Sequence, residues 1–514
     1  VLARRTLAVA AALPVALLIT GAIAPVTEVV SGHGNAPSDN AYISRDGRFV
    51  AFQSFASNLV PGDTNDASDI FVRDRQLGTL TRVNVTAHGG QADAGGYEPS
   101  ISADGRFVAF TSNARNLVPG RAGEGLDVYV KDLRTGELTV ASRTPEGVWA
   151  DNVSYLAQIA ADGRSVVFFS AGSNLVPGDV NGAPDVFSTD LVTGKISLVS
   201  ATADGSPAFG MSDRPTVSAD GRYVAFRSNA GNLAPGDGQG RFDVFVKDLR
   251  TGKVTRASTA ADAERPRISG DGSAVTFSSA AALIPGDTNG FADIYVKELP
   301  SGKLVRASVT ADGRQGDELA YRSALSADGR YAVFESKASN LTPGDTNKAF
   351  DVFVKDLRTG ALTRLGAGAG PGISADGRSV VFDGEGHVFH TRLPKPDADP
   401  FANAVASASN VVVLNGKHAL GAPDGRHATV IGLLNGRFTL DLGDDEEGVG
   451  DLEIRGWCLG RVPVDFLDAK GKYVGSSQFS SRNPVVRHAG APYRYARFNL
   501  GLLQTLSVDG VRAS

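Results

Sequence analysis

The sequence predicts an all-β chain: a seven-bladed β-propeller of four-stranded blades, closed by an N-terminal strand and followed by a β-sandwich of jelly-roll type. Three observations carry the prediction. The tripeptide Asp-Gly-Arg or Asp-Gly-Ser, with Ser-Ala or a close variant before it and an apolar run after it, recurs at Asp46, Asp104, Asp162, Asp220, Asp271, Asp328 and Asp376. Each copy divides into short apolar segments parted by turn residues. The last copy lacks its fourth segment, for which the N-terminus holds a replacement.

The copies are spaced by 48 to 58 residues, and Ile101 to Ser142 is a full one. Its first strand ends in Ile-Ser or Val-Ser (Ile101, Val217, Ile268), and an Asp-Gly turn, suited to positive φ, leads into the second, FVAF or its equivalent. The third is Asp-Val-Phe-Val (Asp243 to Val246, Asp351 to Val354), and a Thr-Gly turn reverses the chain into the fourth, Leu-Thr-Arg-x-Ser. Four antiparallel strands make one blade. The nearly continuous apolar second strand fits a strand covered on both faces by neighbouring blades. After Gly386 to Leu393 the seventh copy breaks off at Pro394, while Thr27-Glu28-Val29-Val30-Ser31 matches the fourth-strand pattern of Thr81 to Val85. The N-terminal segment is therefore expected to complete the last blade and remove two open sheet edges.

The recurring pattern SADGRxVAFxS…D[IV][FY]VxDLxTGxxTRxS resembles the TolB-type PD40 repeat, a WD40-like propeller repeat, over residues 26–394. TolB itself has six blades and a further N-terminal domain, so its envelope role is not implied. Similar propellers precede the hydrolase domain of prolyl-oligopeptidase-like enzymes, but no GxSxG elbow occurs here.

Composition narrows the function. With 51 basic against 56 acidic residues and no basic stripe, nucleic acid is excluded as a partner. Cys458 is the single cysteine, which excludes an intrachain disulfide and a thiolate metal cluster. Residues 1–25 read as an export signal or an uncleaved N-terminal anchor: Arg4 and Arg5 precede an apolar run from Leu7 to Ile19 and the small residues Ala22-Ile23-Ala24, although Pro25 directly follows that cleavage point. An extracytoplasmic monomer is expected, touching a membrane only if that segment stays uncleaved.

In an antiparallel meander the Asp-Gly and Thr-Gly turns share one face, so the second-to-third loops and the blade-to-blade connections collect on the other. The second-to-third loops share D-x-N-x-x-x-D at Asp63, Asn65, Asp69; at Asp179, Asn181, Asp185; at Asp287, Asn289, Asp293; and at Asp345, Asn347, Asp351. Oxygen ligands at alternate positions suit Ca²⁺. The same residues also set turns through side chain to backbone hydrogen bonds, with the last Asp capping the third strand. His387 and His390, three apart on an extended strand, should face opposite ways and not share a metal. His88-Gly89-Gly90 has no accompanying nucleophile, and all three histidines read as loop or strand-surface residues.

Beyond a linker at 395–400, residues 401–514 hold strand-like segments (Val411 to Leu414, Arg437 to Gly443, Asp451 to Gly456, Val462 to Asp468, Tyr495 to Gly501, Leu506 to Val511). Ala419 to Ala428 with GVGDLEIRG resembles galactose-binding or discoidin-like jelly rolls, which implies a carbohydrate- or surface-binding module with Trp457, Tyr473, Tyr493 and Tyr495 available for stacking. With no catalytic motif and no assigned catalytic or cofactor-binding residue, the expected function is a non-catalytic scaffold whose long-loop face meets a protein or glycan. The alternative is an extracellular lyase or hydrolase with its site in the propeller funnel, which requires a cluster of non-repeated polar residues at the long-loop mouth.

Overall fold

The computed structural model describes residues 26–393 apart from 122, 124, 236–239 and 259–261, and the backbone of eight strands between 404 and 513. The expected leader, residues 1–25, and the linker at 395–400 lie outside the described residues. The chain divides into two compact units, residues 1–394 and 395–514.

The first unit is a ring of seven four-stranded antiparallel sheets. Blades 1 to 6 begin with inner strands at Ser38–Ile43, Gly96–Ile101, Ser154–Ile159, Ser212–Val217, Ala263–Ile268 and Ala320–Leu325, and each continues through three further strands in chain order. Blade 7 takes its inner three strands, Ala369–Ile373, Ser379–Gly384 and His387–Arg392, from the end of the ring and its outermost, Val26–Val29, from the N-terminus. The second strands are apolar because both faces are covered: Val108, Ala109 and Phe110 have no exposed surface. The core therefore lies between blades, as where Ala51, Ile70 and Val72 pack against Val108, Phe110 and Tyr129. Each blade stacks one aromatic of its second strand on one of its third, from Phe52 and Phe71 at 5.8 Å to Phe382 and Phe389 at 5.6 Å. Such a buried ring is worth about 1.5–3 kcal/mol.

The Asp-Gly turn owes its recurrence to local hydrogen bonding and to a neighbour. Ser102 Oγ donates to Asp104 (2.6 Å), the same carboxylate accepts from Arg106 N (3.0 Å), and Ser102 Oγ accepts from Phe107 N (2.9 Å). Gly105 sits at φ +71°, and the Phe49 ring of the preceding blade fills the space that a Cβ would need. The arginine of the motif then reaches the Asp that ends the third strand, as in Arg48–Asp74 (2.6 Å), Arg222–Asp248 (2.7 Å) and Arg330–Asp356 (2.8 Å). The Arg48 hydrogen bonds hold Asp74 down at about 2. A depressed carboxyl pKa stabilises the fold above the ordinary value of 3.8, and that contribution disappears as pH falls through about 2. Asp74→Asn is therefore expected to lower the thermal midpoint at pH 7 and to flatten the loss of stability between pH 4 and 2, measured by calorimetry across that range.

Closure follows the N-terminal pairing expected from the sequence. Val26 pairs with Arg392 and Val29 with Phe389; Val30 N donates to Val388 O (2.9 Å), and the Thr27 and Thr391 hydroxyls meet at 2.8 Å. Blades 7 and 1 also meet where Ala375 N donates to Arg45 O (2.9 Å). His390 differs from its reading as a surface residue. It is 1% exposed, with Nδ1 at 3.3 Å from Glu28, and burial pushes its pKa down to about 4. His387 instead meets the His33 ring edge-on at 6.1 Å.

In the second unit the strands Ala404–Leu414, Ala428–Asp441, Leu452–Cys458, Val462–Leu467, Tyr473–Phe479, Val485–Val486, Tyr495–Leu500 and Thr505–Ala513 are joined by antiparallel pairing into one hydrogen-bonded sheet. Trp457, Tyr473 and Tyr495 fall on three of them; Tyr493 and most of Ala419 to Ala428 lie outside the described residues.

Candidate functional site: the central funnel

The inner strand of every blade carries a bulge. Its pairing with the second strand slips in each case, between Asp39 and Tyr42, Tyr97 and Ser100, Tyr155 and Gln158, Asp213 and Thr216, Glu264 and Arg267, Ala320 and Ser323, and Ala369 and Gly372. In six blades the bulged residue takes a left-handed backbone: Asn40 (φ 53°), Glu98 (52°), Leu156 (56°), Arg214 (51°), Arg265 (52°) and Gly370 (61°). Five of these are not glycine, so each holds a conformation costing about 1–3 kcal/mol, of the kind that clusters at ligand sites. The preceding blade holds several of the displaced N–H groups: Asn40 N donates to Asp383 (3.0 Å), Glu98 N to Gln53 (3.2 Å), Leu156 N to Glu98 (3.2 Å) and Gly370 N to Glu335 (2.6 Å).

The bulges surround a cavity of about 680 Å³ lined by the inner strands of all seven blades. Here the repeat breaks down. Six residues before the Asp of each Asp-Gly turn stand Asn40, Glu98, Leu156, Arg214, Arg265, Arg322 and Gly370; four residues before it stand Tyr42, Ser100, Gln158, Thr216, Arg267, Ala324 and Gly372. Three of the second set meet across the bore. Gln158 Nε2 donates to Tyr42 Oη (2.8 Å), Arg267 Nη2 to the same oxygen (2.5 Å), and Arg267 Nη1 to Gln158 Oε1 (3.2 Å). These residues come from blades 1, 3 and 5, so the network reaches across the bore.

At the long-loop mouth, blades 4, 5 and 6 contribute Arg214, Arg265 and Arg322. Their own carboxylate partners are distant or absent. Arg214 Nε stands 3.8 Å from Glu264 and Arg322 Nε 3.9 Å from Glu335, whereas Arg265 forms no ion pair among the described residues and lies over the Tyr321 ring at 4.7 Å. Arg214 Nε and Arg265 Nε are buried without a hydrogen-bond partner. Burial, then the charge of Arg265, pulls the Arg214 pKa down. Nearby Asp213 and Glu264 are engaged by Arg227, bidentate on Asp213 at 2.8 and 2.6 Å. Burial raises the carboxyls of Asp39 and Glu98, and burial with the charge of Asp39 pushes Asp383 up to about 7.

None of the D-x-N-x-x-x-D residues lines this cavity. In three loops one arginine of the fourth strand bridges the two carboxylates. Arg82 lies 3.5 Å from Asp63 and 3.2 Å from Asp69, Arg306 3.1 Å from Asp287 and 3.0 Å from Asp293, and Arg364 3.5 Å from Asp345 and 2.9 Å from Asp351. The asparagines direct their oxygens into their own turns. Asn65, Asn181, Asn289 and Asn347 accept from the N–H two residues on, at 3.1, 2.8, 3.1 and 2.9 Å. Among the described residues no three His, Cys, Asp or Glu side chains gather to hold a metal ion.

Sequence reasoning missed the funnel residues because it followed what repeats. The signal was present as the two columns just described, in which chemistry changes from blade to blade while flanking positions stay constant.

No family model and no curated protein matches the chain. Among solved structures it is similar to an oligogalacturonate lyase in complex with manganese (14% identity, 73% of this chain and 97% of that one, TM-score 0.46) and to the oligogalacturonate lyase of Vibrio parahaemolyticus (13%, 73% and 98%, 0.46). It is also similar to the putative TolB of Agrobacterium tumefaciens (17%, 53% and 80%, 0.35). These are partial likenesses of fold. The class that the chain's own architecture defines is the seven-bladed β-propeller with a polar central funnel.

Proposed function

We propose that this protein binds the end of an acidic glycan in its central funnel, through the arginines of blades 4 to 6. The observation that carries this reading is the group Arg214, Arg265 and Arg322, three guanidinium groups converging on one cavity with buried, unpartnered nitrogens on two of them. Guanidinium groups held half-buried around one cavity favour an anionic partner, and their planar forks suit carboxylate oxygens. The cavity is of the size that takes a small molecule or a chain terminus rather than a folded surface. The position of the three arginines at the long-loop mouth favours a terminal residue entering from that face. This keeps the expected scaffold role and its extracytoplasmic setting, but moves the contact from the repeated Asp loops to the non-repeated funnel. The β-rich second unit remains a proposed second glycan contact.

Calorimetric titration of the full chain with a short oligouronate, a neutral oligoglucan and inorganic phosphate tests the reading. Binding of the oligouronate alone, weakening with added salt, is expected; equal binding of the neutral sugar sinks it. Asp383 adds a pH dependence. As pH rises from 6 to 8 its carboxyl ionises through about 7, near Arg322, and cancels part of the positive field. Affinity should fall by about tenfold over that range, one charge at effective dielectric ~20 being worth over 1 kcal/mol. Asp383→Asn should bind with a flat pH profile.

A second reading, catalysis in the same funnel, is favoured by one feature. Asp383 lines the cavity with Oδ1 buried and unpartnered, and its pKa suits a group that gives and takes a proton at neutral pH. Release of unsaturated or reducing ends from the oligouronate, lost in Asp383→Asn, would establish it.

A further inference from the structure

Blade 3 departs from its siblings where its second-to-third loop meets the fourth strand. In blades 1, 5 and 6 the loop's carboxylate pair surrounds a guanidinium, supplied thirteen residues after the second Asp by Arg82, Arg306 or Arg364. Arg256 occupies that position in blade 4, 2.7 Å from Asp243. Blade 2 has Val140 there, but its loop supplies the cation itself, with Arg121 in place of the first Asp and 2.5 Å from Asp127. Blade 3 keeps both acids, Asp179 and Asp185, and has Leu198 at the arginine position. A second partner is missing as well. Gln91 donates to Asp63 at 2.9 Å in blade 1 and Gln315 stands at the same position in blade 5, but blade 3 has Pro207, which offers no side-chain donor.

The consequence is a buried pair of carboxylates with no positive charge. Asp185 is fully buried and accepts from Ser200 (2.6 Å) and Asn181 (2.6 Å). Asp179 is 9% exposed and has no hydrogen-bond or ion-pair partner among the described residues. Burial, and to a lesser degree the charge of Asp179, pushes Asp185 up to about 6, while burial and the charge of Asp151 raise Asp179. Burying two anions without a counter-charge is strongly unfavourable, and in each sibling pair described above a cation removes that cost.

We infer that blade 3 binds a small hard cation, Ca²⁺ by its oxygen ligands, between Asp179 and Asp185, in the place its sibling blades give to an arginine. Two carboxylates supply the charge, and water and main-chain oxygens complete the shell. The inference is independent of the funnel, since neither residue lines it.

The test compares the full chain with Leu198→Arg and Asp179→Asn by thermal melting and calorimetric titration, in EDTA, Ca²⁺ or Mg²⁺ at pH 7.5. Wild type should gain several degrees with Ca²⁺ and bind one equivalent more than either variant. Leu198→Arg, which copies blades 1, 5 and 6, should melt higher than wild type in EDTA and no longer respond to Ca²⁺. Asp179→Asn removes one of the two charges and should also lose the response, so the inference stays testable if the arginine does not fit. An unchanged wild-type transition with no binding heat, or a Ca²⁺ response that survives in both variants, overturns it.

Discussion

Replacing Arg214, Arg265 and Arg322 together with alanine is expected to abolish oligouronate binding while raising the thermal midpoint. Each guanidinium contributes a charge-assisted hydrogen bond to an anionic ligand, worth about 1.5–3 kcal/mol. The single change Arg265→Ala should thus weaken binding by about 10- to 100-fold, and the triple change by more than 1,000-fold. The stability gain has its own cause. In the free protein Arg214 and Arg265 repel one another, and each has a buried nitrogen with no acceptor. Relief of that repulsion is expected to outweigh the loss of the long Arg214–Glu264 and Arg322–Glu335 pairs, the usual trade between a binding site and the stability of its scaffold. Calorimetry and thermal melting of the same preparations measure both effects. A variant that loses stability and binding in parallel would mean that these arginines hold the ring together and do not serve a ligand.

Removing residues 26–37, and with them the closing strand Val26–Val29, has the largest expected effect on stability. The strand covers the outer edge of His387–Arg392 along its paired residues, and Val30, 4% exposed, packs with Val50, Phe52 and Val388 between blades 7 and 1. Hydrogen bonds at about 1 kcal/mol each and one buried valine at about 1.5–3 kcal/mol sum to a loss of about 5 kcal/mol, or about 10 °C in a domain of this size. The exposed edge should also promote self-association, read by light scattering. A synthetic peptide of residues 26–37 should restore the midpoint. An unchanged midpoint would show that the ring is closed by its other contacts, such as the Ala375 to Arg45 hydrogen bond.

The fold was legible because its determinants repeat. The Asp-Gly turn is written in Ser102, Asp104 and Gly105 and in the corresponding residues of every blade but the third, which has Ala160 for the serine, and the covered second strand shows in runs such as Phe107 to Phe110. Even the closing strand could be matched to Thr81 to Val85 by pattern. The site was hidden for the converse reason. Arg265 is a charged residue next to Pro266 in a short strand, and nothing local distinguishes it from a surface arginine. Only the bulge, set by long-range pairing with the second strand, turns it toward the bore. The Asp-rich loops show a related limit. Asp63 and Asp69 look like ligands awaiting a cation until Arg82, thirteen residues further on, is brought between them by the hairpin of the third and fourth strands. The same comparison singles out Leu198, whose significance is visible only once the blades are superposed in register. His390 shows a third limit: its burial depends on Val26–Val29, which lies at the other end of the ring sequence.

The central claim, that the funnel is the ligand site, is tested most directly by a crystal structure of the full chain with a bound oligouronate. The account predicts a terminal carboxylate within hydrogen-bond distance of at least two of Arg214, Arg265 and Arg322, with the sugar chain leaving toward the long-loop face and the Tyr42–Gln158–Arg267 network intact beneath it. A ligand seated on the Asp-rich loops or only on the second unit, with the funnel arginines unengaged, would contradict it.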